Sequence, residues 1–90
     1  MDQWRRLADA VNETTYELYE WGKASKTWRK AGIVRSARVR PEGIAVIILT
    51  NGFQQEVSVH TSPLTLLPYG EYRYTLRSQM TYSLIPEGIR

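Results

Sequence analysis

The stretch Ile44-Ala45-Val46-Ile47-Ile48-Leu49-Thr50-Asn51-Gly52-Phe53 lies mid-chain and organises the reading of everything around it. An unbroken run of six apolar residues is followed, after Thr50, by Asn-Gly, the strongest short hairpin signal a sequence offers. The run therefore reads as a strand over 44–50, returning as a second strand over 53–61. A two-residue turn would pair Thr50 with Phe53, Ile48 with Gln55, Val46 with Val57 and Ile44 with Val59. One face of that hairpin is then Ile44, Val46, Ile48, Phe53, Val57 and Val59. The other sets Ala45, Ile47 and Leu49 against Gln54, Glu56, Ser58 and His60. A strand apolar on both faces belongs in the middle of a sheet, and its second face calls for cover by another element or another subunit.

Upstream, Ile33 to Arg40 alternates with period two, and Pro41-Glu42-Gly43 reads as a tight turn. Two registers stay open for this turn. A two-residue loop pairs Val39 with Ile44. A bulge at Gly43 sets Arg40 opposite Ile44, Val39 beside Ala45 and Ala37 beside Ile47.

The first third carries a helical stripe: Trp4, Leu7, Ala8, Val11, Leu18 and Trp21. The pattern predicts a helix over about 3–22 with Gly22 as its stop, or over 3–31 with Gly32 as its stop. Downstream, Ser62-Pro63 and Pro68-Tyr69-Gly70 bracket a short connector, Leu64 to Leu67, read as a loop, an edge strand or a turn of helix. Residues 72–84 alternate cleanly and predict one long strand with a bulge near Ser78. Its apolar face carries Tyr72, Tyr74 and Tyr82, and its polar face carries Arg73, Thr75, Arg77, Thr81 and Ser83.

The expectation is one α+β domain over residues 1–90. An N-terminal helix packs on a mostly antiparallel sheet of four or five strands, with a curled, barrel-like sheet as its main variant. Ninety residues leave little room for a deep cleft. Cysteine is absent, which excludes disulfide scaffolds and thiolate metal sites. The longest apolar run is six residues, against about 20 for a membrane-spanning helix, and no signal-like stretch follows Met1. A soluble, cytoplasmic protein is expected.

Chemistry-bearing motifs are sparse. His60 is the single histidine, and Glu56, Ser58 and His60 share a strand face. Same-face neighbours on one strand stand roughly 6.5–7 Å apart, too far for a nucleophile–base relay. No phosphate-binding glycine motif occurs. No catalytic residue, metal set or cofactor is assigned.

Two binding readings lead, and a small enzyme is a remote third that would need a cleft joining His60 to Glu13 or Glu17. The leading one is a non-enzymatic interaction or assembly protein, self-associating or docked on a protein partner. Its contact residues would be Trp21, Trp28, Ala45, Ile47, Leu49, Tyr69 and Tyr72, because large amphipathic rings and an uncovered apolar face suit interfaces. The alternative is a small nucleic-acid-binding domain. Lys23, Lys26, Arg29, Lys30, Arg35, Arg38 and Arg40 fall in an acid-free run, and Arg73 and Arg77 add to it, within a net charge of +3.

Overall fold

The computed structural model describes residues 2–70 and 72–87. Helix α1 spans Asp2–Glu13. Seven strands follow: β1 (Tyr16–Gly22), β2 (Thr27–Val39), β3 (Ala45–Thr50), β4 (Glu56–Thr61), β5 (Leu66–Pro68), β6 (Tyr74–Arg77) and β7 (Thr81–Pro86). A single 3-10 turn, Pro63–Thr65, precedes β5. All seven form one antiparallel sheet in the order β4-β3-β2-β1-β7-β6-β5. The α+β class and the curled sheet are as expected; the strand number is seven rather than four or five.

The helix stops far short of Gly22. Its last turn closes where the Thr14 N–H donates to the Ala10 carbonyl at 2.9 Å, and the chain then extends as β1. The segment Tyr16-Glu17-Leu18-Tyr19-Glu20-Trp21 fits period two as well as a helical stripe, being rich in aromatic strand formers. Pairing decides between the two. β1 lies between β2 and β7, so both of its edges are hydrogen-bonded. The former helix candidates Leu18 and Trp21 thus point to opposite faces of the sheet.

Strand β2 runs for 13 residues and carries two bulges. Ala31 is the extra residue opposite Leu18 and Tyr19, and Arg35 is the extra residue between Val34 and Ser36. A bulge bends its strand and increases the local twist. Two of them in one strand curl the sheet around α1, which packs against both β2 and the distant edge strand β5. The bulge at Arg35 also breaks the simple alternation expected over 33–40, so Val34, Ala37 and Val39 all reach the core. Gly32, expected as a helix stop, sits mid-strand. A Cβ there would stand 2.6 Å from the Thr50 carbonyl oxygen and 2.7 Å from Leu49 Cδ1, so only glycine fits.

The turn after β2 takes the bulged register. Gly43 has φ +85°, the Arg40 N–H donates to the Ile44 carbonyl at 2.8 Å, and Val39 pairs with Ala45. The Asn51-Gly52 hairpin exists, but its register differs from the expected one. Thr50 pairs with Glu56, Leu49 with Val57 and Ile47 with Val59. The Asn51 side-chain oxygen accepts from the Phe53 and Gln55 N–H groups at 2.9 and 3.0 Å. The left-handed residue is Gln54, φ 62°, rather than Gly52. This wider loop moves the start of the returning strand from 53 to 56.

The change of register turns Val57 and Val59 to the same face as Ala45, Ile47 and Leu49. That face is the core. Trp4 and Leu7 from α1 close it together with Tyr16, Leu18, Leu66, Tyr74, Leu76 and Leu84. The second apolar face of β3 is therefore the outer one, where Val46 is flanked by Arg38 and His60.

The long strand expected over 72–84 is two strands. Ser78 makes the hairpin without glycine or asparagine: its N–H and hydroxyl both donate to the Met80 carbonyl, at 2.9 and 3.3 Å. The connector Leu64 to Leu67 supplies both the 3-10 turn and edge strand β5. No helix among the described residues is long and apolar enough to cross a membrane.

Candidate functional site

Strand order determines which side chains meet on the outer face. Side chains alternate along each strand, so β1 sends Glu17, Tyr19 and Trp21 outward. Cross-strand partners of these residues follow. Tyr19 pairs with Ser83 on one side and Lys30 on the other, and Trp21 pairs with Trp28. Ser83 pairs with Thr75, and Thr81 with Arg77. These positions enclose an open groove of about 670 Å³ lined by Tyr19, Trp28, Tyr69, Arg73, Thr75, Arg77, Thr81, Ser83 and Ile85.

Each ring in the groove is held. Trp28 is 48% exposed, and its ring meets Trp21 edge-on with centroids 5.2 Å apart. The Tyr19 hydroxyl donates to Glu17 Oε2 at 3.1 Å. Glu17 is itself only 2% exposed and accepts from Lys30 Nζ at 2.9 Å. That hydrogen bond holds the Lys30 ammonium above its ordinary pKa. Tyr69 shares a 2.6 Å hydrogen bond with the buried Ser83 hydroxyl. Its N–H donates to the Arg73 carbonyl at 3.0 Å, so one short loop places both Tyr69 and Arg73.

That loop is strained and then secured. Gly70 and Tyr72 have φ +76° and 59°. A left-handed tyrosine costs on the order of 1–2 kcal/mol, and the buried Tyr16 hydroxyl donates to the Tyr72 carbonyl at 2.7 Å to hold it there. Burial pushes the Tyr16 phenol up to about 12, with Tyr74 and then Tyr72 adding their charge. Burial likewise raises Tyr74 and Tyr82. An unfolded tyrosine ionises near 10, so the unfolded chain releases its protons first as pH rises. The stabilisation is intact below pH 10 and is lost as pH climbs to about 12. Thermal melts across this window should show a falling Tm, and Tyr16→Phe should flatten the fall. An unchanged slope in that variant would refute the assignment.

The fold gathers only some of the expected binding residues. Trp28, Tyr69, Arg73 and Arg77 line the groove, and Trp21 braces Trp28. Tyr72 lies in the loop beside it. Ala45, Ile47 and Leu49, expected to meet a partner, are buried against the chain's own core and offer no contact surface. The acid-free run from Lys23 to Arg40 is not acid-free in space, nor is it one patch. Lys23 and Lys26 occupy the β1–β2 turn. Arg29 points to the opposite face and pairs with Glu20, Lys30 meets Glu17, and Arg40 lies 3.8 Å from Glu42. Arg35 donates to the Thr50 hydroxyl at 2.9 Å, and Arg38 is exposed on the outer face.

Ile85 is the groove residue that the sequence did not single out. Tyr19 falls outside the helical stripe of its segment, and as a large amphipathic ring it suits an interface. Among the described residues the lining holds no carboxylate, imidazole or thiol, and no group of three His, Cys, Asp or Glu side chains could hold a metal ion. The groove presents flat rings, two guanidinium groups and hydroxyls. No protein-family model matches the chain, and neither a curated protein nor a solved structure matches it.

Proposed function

We propose that the protein is a small non-enzymatic binding module whose outer-face groove takes a short stretch of single-stranded nucleic acid. One observation carries this reading: Arg73 and Arg77 share a groove with the rings of Tyr19, Trp28 and Tyr69. Guanidinium groups hold phosphates, and exposed rings stack on unpaired bases. A duplex hides its bases from such a surface, whereas a single strand presents them. The hydroxyls of Thr75 and Thr81 line the same groove and can bond sugar and base edges. The net charge of +3 is modest, so the affinity rests on this local arrangement rather than on the whole-protein field.

Fluorescence anisotropy with a labelled mixed-sequence oligonucleotide tests the reading. Single strands should bind more tightly than the matching duplex, and affinity should fall as salt rises. Absence of binding at low salt, or equal affinity for the duplex, would refute it.

A further inference from the structure

We propose that the protein forms a two-fold homodimer by antiparallel pairing of β4 with the β4 of a second copy. This surface is separate from the groove. Strand β4 is one end of the sheet and pairs only with β3 among the described residues. The Asn51 N–H donates to the Gln55 carbonyl at 3.0 Å, which fixes the alternation of hydrogen bonds along the hairpin. Val57, Val59 and Thr61 thus bond inward to β3. Glu56, Ser58 and His60 turn their N–H and carbonyl groups out to the free edge.

Free edges are commonly blunted by lysine, proline or a bulge. The six residues of β4 contain neither lysine nor proline, and their register with β3 is regular. The occupant follows from self-complementarity. With Ser58 on the two-fold axis, Ser58 pairs with itself and Glu56 faces the partner's His60 in both halves. Each imidazole N–H can then donate to a carboxylate across the interface. On the core-side face the same register sets Val57 against the partner's Val59. Val57 is 41% exposed and neighbouring Phe53 is 86% exposed, so pairing covers apolar surface that the single chain leaves in water. A neighbouring register, shifted by one residue, would put valines against polar partners and lose both Glu56–His60 contacts.

Sedimentation equilibrium without nucleic acid tests this, since the dimer does not depend on the groove. At millimolar concentration the mass should approach twice 10.4 kDa. Ser58→Lys places two ammonium groups on the axis while leaving the β3 bonds intact, and should weaken dimerisation at least about tenfold. His60→Glu should weaken it comparably, and adding Glu56→His to that variant should restore it. Circular dichroism melts should show each variant folded. A 10.4 kDa species at every concentration would overturn the proposal. A dimer insensitive to Ser58→Lys, or a swapped pair that fails to restore it, would overturn it equally.

Discussion

Trp4→Ala should lower the unfolding free energy by about 3–5 kcal/mol. A domain of this size has only about 5–15 kcal/mol in total, so the variant should lose more than about 10 °C in Tm. Trp4 stands in the first helical turn and is 2% exposed. Its ring fills the space between α1 and the curled sheet, and its indole N–H donates to the Pro63 carbonyl. That bond ties the helix to the 3-10 turn through which the chain crosses from one end of the sheet to the other. Deleting the side chain therefore opens a cavity and orphans a carbonyl together. Trp4→Phe separates the two effects. It keeps most of the apolar volume and removes the donor, and should cost about 1–3 kcal/mol. Chemical denaturation of both variants checks the order. A loss under about 1 kcal/mol for Trp4→Ala would mean that α1 does not close the core.

The second large effect concerns the groove. Trp28→Ala removes the most exposed of its braced rings. Base–aromatic stacking contributes about 1–3 kcal/mol per base, so oligonucleotide affinity should fall roughly 5- to 150-fold. Because Trp28 is half in water, the melting temperature should change little. The paired variant Arg73→Ala/Arg77→Ala should act differently. It removes two phosphate contacts, and the slope of log affinity against log salt should flatten by about 1.4. Trp28→Ala should leave that slope unchanged. Identical salt slopes in the arginine variant and the native protein would mean that these side chains do not hold the backbone.

Local signals gave the element types wherever turn chemistry was conventional. Pro41-Glu42-Gly43 turns with its glycine left-handed, and the 33–40 and 44–50 segments are strands. The Asn51-Gly52 hairpin was legible, but its register was not. The Asn51 carboxamide captures two downstream N–H groups, which widens the loop and inverts the faces of β4. The 78–80 turn was missed because Ser78 closes it by its own hydrogen bonds, with no glycine to announce it. Leu18 and Trp21 satisfied a helical stripe, and only pairing with β2 and β7 sends them to opposite faces.

The candidate site was half legible for a related reason. Alternation placed Arg73, Thr75, Arg77, Thr81 and Ser83 on one face, and they do share it. Tyr19, Trp28 and Tyr69 come from other segments and reach that face through the strand order β2-β1-β7-β6-β5. No local pattern encodes that order. The basic run misled because sequence proximity says nothing of the acids that Glu17, Glu20 and Glu42 bring to it.

The most direct measurement is a titration of isotope-labelled protein with a single-stranded oligonucleotide, followed by nuclear magnetic resonance. The largest shift changes should fall on Tyr19, the Trp28 indole, Tyr69, Arg73, Arg77 and Ser83, with α1 left unperturbed. Changes centred on α1 or on β3 and β4, or no changes at saturating oligonucleotide, would contradict the assignment of the outer-face groove as the binding site.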